Sequence, residues 1–141
     1  MQQQISNIRV LVHVVCFNNE ATIARCITSV MEQTGFSLPI KLLVTDNAST
    51  DNTADVLRTF SDANISLVFN QINLGFCQAH NLGFLRAVKD NDDFVFILNP
   101  DALLKPNTLA TLVEGISKDP LAGFATPKIF RTSPDLSPLS I

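Results

Sequence analysis

An apolar run, 94–98, stops at Asn99-Pro100-Asp101. The run reads as a buried strand that delivers an amide and a carboxylate to one edge of a sheet. A hard cation or a phosphate-bearing ligand is one use for an acid so placed. Pro100 fixes its own φ and stiffens the turn, which holds Asn99 and Asp101 in a set relation. One carboxylate, water and two phosphate oxygens suit Mg2+ or Mn2+ better than an all-protein cage. Such an ion would neutralise charge on a diphosphate leaving group. The competing reading makes Asp101 a cap for the segment leading to the next helix.

Asp46 directly follows a second apolar run, Leu42-Leu43-Val44-Thr45. A carboxylate only accepts hydrogen bonds, so it could take the imide N–H of uracil or thymine, which cytosine lacks. The alternative is an Asx turn, in which Asp46 caps its own loop. Residues 46–53 hold more turn formers than one turn requires, and Thr50 or Asp51 can cap the next helix. Asn73-Leu74-Gly75-Phe76 leads into a helix whose free N–H groups could face an anion. Gly75 allows close backbone approach there, and Asn81 and Gly83 lie within the first turns beyond. No GxxxxGK[ST] loop occurs and no GxGxxG follows the first strand, which argues against a P-loop enzyme and a standard dinucleotide binder. His13 and His80 lack partners at ligand spacing and read as packed or surface groups. Asp90, Asp92 and Asp93 read as a solvated turn, and Arg9, Arg25 and Arg86 as surface charges.

The elements that must position these groups alternate along the chain. Strands are predicted over 9–15, 40–45, 66–70 and 94–98, with a fifth over 122–126. Helices are predicted over 21–33, 52–60, 75–88 and 108–116, from apolar residues at helical spacing. Asn18 or Asn19 is a cap for the first helix, and Pro106 an early-turn residue of the last. Strand alternating with helix predicts an α/β fold, a mostly parallel sheet covered on both faces. Ligands in such sheets sit beyond the carboxyl ends of the strands. The four loops at that edge are all polar: Phe17-Asn18-Asn19-Glu20, Asp46-Asn47-Ala48-Ser49, 70–75 and Asn99-Pro100-Asp101. The tail, 131–141, carries Pro134 and Pro138 and reads as loosely ordered.

Bulk properties narrow the class. The 141 residues are 46% hydrophobic and 16% charged, which suits one globular domain rather than a disordered chain. A net charge of -3 argues against nucleic-acid binding by electrostatics. No run of 18 apolar residues is present, so no transmembrane segment is expected. Met1-Gln2-Gln3-Gln4 lacks the layout of a signal peptide. Cys16, Cys26 and Cys77 lack CxxC spacing and read as reduced thiols, consistent with a cytoplasmic protein.

Four segments occur in order: Val14-Val15-Cys16-Phe17-Asn18, Asp46 to Asp51, Asn73-Leu74-Gly75-Phe76 with Asn81-Leu82-Gly83, and Leu98-Asn99-Pro100-Asp101. Together they resemble the nucleotide-sugar-binding half of family 2 glycosyltransferases, nearest to the rhamnosyltransferase-like branch, over roughly residues 8–130. The resemblance implies a GT-A fold of three layers, α/β/α, truncated to residues 1–130, with the acceptor-binding half missing. It implies that Val15, Phe17 and Asp46 hold the base, with Asn18 beside them. Asn73, Gly75, Phe76 and Asn81 would border the nucleoside and diphosphate. Asn99 would stand for the first acid of a DxD-type motif and Asp101 would bind Mg2+ or Mn2+. The donor would be a UDP- or dTDP-linked sugar and the acceptor a saccharide or lipid-linked molecule, placing the protein in the cytoplasm or against the inner membrane face.

Family members invert the anomeric centre with a carboxylate base from a later segment. After Asp101 the acids are Glu114, Asp119 and Asp135, and none is a convincing base. A partial protein is therefore expected, with a homodimer through an exposed sheet edge as one consequence. A non-catalytic interaction module on the same scaffold is the alternative. A phospho-acceptor receiver fits less well, because its first strand would end in an acidic cluster.

Overall fold

A computed structural model of the chain describes residues 7–131. Its elements are β1 (Val10–Cys16), α1 (Ile23–Met31), β2 (Lys41–Asp46), α2 (Thr53–Arg58), β3 (Ile65–Phe69), α3 (Phe76–Lys89), β4 (Phe94–Leu98) and α4 (Thr108–Ser117). The strands form a four-stranded sheet in the order β3-β2-β1-β4. Every pairing is parallel, with Cys16 beside Asp46, Asp46 beside Phe69 and Val14 beside Leu98.

Strand alternation divides the core into two layers. Val10, Val12, Val14 and Cys16 project to one face, where they meet Ile23, Ile27 and Val30 of α1, Leu57 of α2, and Leu109 and Val113 of α4. Leu11 and Leu43 project to the other face, against Ala87 of α3. The result is the expected α/β/α sandwich. Gly83 lies where α3 crosses closest to β1: a Cβ there would fall 2.0 Å from the His13 ring. Its place in the chain follows from packing, not ligand binding.

The chain runs outward from β1 through β2 to β3, then returns across the sheet to β4 on β1's other side. The order therefore reverses at β1, and the crevice at such a switch point is where open α/β sheets take ligands.

Several expectations need correction. Residues 122–126 are not a strand; Leu121 and Phe124 are 93% and 86% exposed, and no neighbouring strand pairs with them among the described residues. Gly123, with Pro120 and Pro127 on either side, disfavours a strand there. Helix α1 begins two residues later than predicted, because the Asn19 carbonyl accepts from the Thr22 and Ile23 amides. Asn19 thus serves that end with its main chain, and no side chain caps it. Pro106 precedes α4 by two residues and is not in its first turn. The Asp92 side chain is fully buried, not solvated. The reading of 132–141 as a loose tail falls outside the described residues, as does Asp135. Among the described residues no helix is long and apolar enough to cross a membrane.

Candidate functional site

Two loops at the carboxyl edge are zipped together side chain to main chain. Asn18 Oδ1 accepts from the Thr50 amide at 2.8 Å, and the Asn18 amide donates to Ser49 Oγ at 2.9 Å. The Asn19 amide donates to Thr53 Oγ1 at 2.8 Å. Glu20 Oε2 accepts from the Asn52 amide at 2.8 Å, and the Glu20 amide donates to Asp51 Oδ2 at 3.2 Å. Asp51 Oδ1 also accepts from the Thr53 amide and so steadies the start of α2, as expected. The carbonyl of Asn18 is therefore spent on structure, and its proposed ligand contact is limited to what its amide group has left.

Asp46 is 4% exposed at the end of β2. Its Oδ1 accepts from Ser49 Oγ at 2.5 Å and from the Ser49 amide at 3.2 Å. The turn-forming reading is thus right for one oxygen. Among the described residues Oδ2 accepts nothing, which leaves it for a ligand donor. Between them Ala48 sits at φ 67°, a left-handed conformation that costs a non-glycine residue about 1 kcal/mol. The paired Asp46 to Ser49 bonds hold it there.

The third loop hangs on Asn47, which the sequence reading passed over. Asn47 is 3% exposed. Its Oδ1 accepts from Asn70 Nδ2 at 3.0 Å and from the Leu74 amide at 2.9 Å, and its Nδ2 donates to Asn73 Oδ1 at 2.7 Å. Asn73 Oδ1 also accepts from the Gly75 amide at 2.8 Å. Gly75 then takes φ 74°, ψ 168°, a region open almost only to glycine, as α3 begins. A Cβ at Gly75 would touch nothing, so the requirement there is conformational. Phe76 follows, 57% exposed, with its ring against His80 at 4.3 Å between centroids. Asn81 is exposed farther along α3, and Val15 is half-buried on β1 beside Thr45.

Beneath Phe76 lies a buried polar chain. His80 Nδ1 meets His13 Nδ1 at 3.2 Å, and His13 Nε2 meets Thr45 Oγ1 at 3.0 Å. The two histidines are partners, a pairing that their sequence spacing did not reveal. Burial, then the charge of His80, pushes His13 down to about 4; burial also lowers His80. Both rings are therefore neutral near pH 7; one Nδ1 donates to the other, and the Thr45 hydroxyl accepts from or donates to His13 Nε2 according to which His13 nitrogen carries the proton.

Asn99 and Asp101 are exposed just beyond β4. The Asn99 carbonyl accepts from the Ala102 amide at 3.1 Å, closing the turn around Pro100. Asp101 caps nothing and makes no ion pair among the described residues. Its charge reaches Cys26, whose thiol is pushed up to about 12 by burial and then by Asp101. Cys16 is pushed up to about 12 likewise, by burial and then by Asp46. Both thiols beneath the edge stay protonated.

A metal at the β4 corner of this edge would find one carboxylate, Asp101. Among the described residues no group of three or more His, Cys, Asp or Glu side chains could hold an ion. That donor set fits Mg2+ or Mn2+ only as an ion shared with ligand phosphates, the way these ions are usually held. Glu114 is exposed on α4, and Asp119 Oδ1 caps the Leu121 amide at 2.9 Å. Neither belongs to the edge loops.

The chain is 33% identical over 109 residues to an uncharacterised protein of Mycobacterium tuberculosis, covering 77% of this chain and 32% of that protein. It is 29% identical over 100 residues to abequosyltransferase RfbV of Salmonella typhimurium, covering 68% and 29%. The chain thus spans about a third of the length of these curated relatives. Among solved structures it superposes on the mannosyltransferase PcManGT from Pyrobaculum calidifontis, in complex with GDP-Man and Mn2+, with TM-score 0.72 and 30% identity, over 82% of this chain and 34% of that one. It superposes on S. aureus TarS in complex with UDP with TM-score 0.66 and 20% identity, over 86% and 38%. The shared architecture is the GT-A fold. The family model for glycosyl transferase family 2 matches residues 11–139, and the chain belongs to that family.

Proposed function

We propose that residues 1–130 form the donor-binding portion of an inverting glycosyltransferase that takes a UDP- or dTDP-linked sugar with Mg2+ or Mn2+. The observation that carries this reading is a pair of carboxylates, Asp46 and Asp101, at the carboxyl edge with no cation partner. Asp46 holds the base: Oδ1 is tied to Ser49, so a single oxygen remains for a single imide N–H. Val15, Phe17 and Asn18 line that corner. The diphosphate runs toward β4, two strand spacings or about 10 Å from Asp46. Asn73, Gly75, Phe76, Asn81 and Asn99 border it. Asp101 would hold the metal, and when bound the ion would offset charge on the departing diphosphate.

In the reaction an acceptor hydroxyl attacks the anomeric carbon, the bond from that carbon to the diphosphate oxygen breaks, and the nucleoside diphosphate leaves. The hydroxyl proton goes to a carboxylate base supplied outside the described residues. A hexosyl or rhamnosyl unit is the proposed cargo, and a saccharide or lipid-linked hydroxyl the proposed acceptor. Two copies pairing through an exposed sheet edge is the proposed assembly, supported by the outer edges of β3 and β4 being unpaired among the described residues.

Titration calorimetry with UDP and dTDP, with and without Mn2+, tests the reading. Binding of one of them that strengthens with Mn2+ is expected. Absence of heat at concentrations on the order of 1 mM contradicts it.

A further inference from the structure

Helix α1 carries two stripes about a quarter turn apart, at 100° per residue. Ile23, Ile27 and Val30 face the sheet. Cys26 and Ser29, with Gln33 and Thr34 in the segment just beyond the helix, face the strap that runs from Asn99 to Leu109. Ala102 and Leu104 of this strap pack on the core, and the hydrogen bonds that tie it to the region of α1 come from Cys26, Ser29, Gln33 and Thr34. Cys26 Sγ donates to the Asn99 carbonyl at 3.5 Å. Ser29 Oγ accepts from the Leu104 amide at 3.2 Å while donating to the Cys26 carbonyl at 2.8 Å. Gln33 Nε2 donates to the Lys105 carbonyl at 2.7 Å, and its Oε1 accepts from the Leu109 amide at 3.0 Å. The Thr34 amide and hydroxyl both donate to the Pro106 carbonyl, at 2.7 and 3.1 Å.

Within the strap the Ala102 amide donates to the Asn99 carbonyl and the Thr108 amide to the Lys105 carbonyl. Asn107, at the start of α4, makes no side-chain cap, so Gln33 serves an orphan amide of that helix from the segment that follows α1. The other end of α1 starts from the Asn19 carbonyl, in the loop zipped to the one that carries Asp46. One helix therefore touches both corners of the edge. Its beginning joins the Asp46 corner, and its polar stripe grips the strap that carries Asp101.

We propose that Ser29 and Gln33 are positioning residues that set where Asp101 stands relative to Asp46, and so set how strongly a divalent cation assists nucleotide binding. This rests on the assignment of Asp101 as the metal carboxylate. Neither residue touches the ligand. Their effect falls on the metal-assisted part of binding and not on recognition of the base.

The experiment is the ratio of UDP affinity with Mn2+ to that without, read by calorimetry in wild type, Gln33→Leu, Ser29→Ala, Ser29→Thr and Asp101→Asn. Circular dichroism confirms that each variant is folded. The ratio should fall roughly 10-fold in Gln33→Leu and in Ser29→Ala, with the metal-free affinity within about twofold of wild type. Ser29→Thr, which keeps the hydroxyl, should restore most of it. If Gln33→Leu fails to fold, the Ser29 pair carries the same comparison. A ratio that collapses in Asp101→Asn but not in the folded α1 variants overturns the positioning proposal and leaves the metal assignment standing. A wild-type ratio of one overturns both. Equal loss with and without Mn2+ also overturns positioning, since it marks a merely structural role.

Discussion

The two edges of this sheet treat charge in opposite ways. At the amino edge every acid has an assignment. Asp92, its side chain fully buried, lies 2.5 Å from Lys41 Nζ; its oxygens accept no directed hydrogen bond, so the contact is an ion pair. Asp90 is shared between Lys41 and Arg86, and Asp93 accepts from the Arg9 amide. At the carboxyl edge Asp46 and Asp101 have no cation among the described residues. Acids matched by cations hold a fold together. Acids left unmatched in a crevice await a cation or donor from outside.

Substitutions at the two edges should therefore separate binding from stability. The largest effect is expected for Asp46→Asn, which keeps an acceptor for Ser49 and turns an amide toward the base. UDP affinity should fall about 100-fold, since hydrogen bonds to charged groups contribute about 1.5–3 kcal/mol. The thermal midpoint should barely move. An unchanged affinity breaks the contrast at its strongest point.

The buried histidines sharpen it next. The folded state lowers both, so the unfolded chain binds more protons and the stabilisation is fully present above pH 6.5. It fades as pH falls from 6.5 toward about 4, the value for His13. The loss at His13 amounts to roughly 2 kcal/mol after partial solvent screening. Urea midpoints at pH 7 and pH 4.5 measure it, and a His13→Gln chain should show a shallower dependence. A midpoint that does not change argues against the neutral pair.

Asp92→Ala should lower stability by about 1–2 kcal/mol, because Lys41 loses a buried partner yet remains partly solvated. Nucleotide affinity should stay within about twofold. Loss of binding without loss of stability would place ligand chemistry at the wrong edge. The smallest effect belongs to Arg86→Ala, which breaks a mostly exposed pair with Asp90 and should change stability by less than about 0.5 kcal/mol.

What the sequence showed follows from how locally each feature is encoded. Apolar runs that end in Asp46 or Asn99 announce both the strand and its edge, so the parallel sheet and its four polar loops were legible. Asn47 was not, because a buried hub in a run of turn formers looks like any other turn former. Its partners, Asn70 and Asn73, lie 23 and 26 residues away. The contacts of Cys26, Ser29 and Gln33 in and just after α1 were not legible, since their partners are 72–76 residues distant. Asp92 misled for the same reason: its ion-pair partner, Lys41, is the first residue of β2, far from it in the chain. Residues 122–126 misled in reverse: despite their apolar character they form no strand pairing among the described residues.

The most direct test follows backbone amides by NMR while UDP and Mn2+ are added to the isotopically labelled chain. Shifts should concentrate at Phe17, Asn18, Asp46, Gly75, Phe76 and Asp101, with the 90–93 amides still. Shifts centred on 90–93, or none anywhere, would contradict the assignment of the carboxyl edge as the nucleotide site.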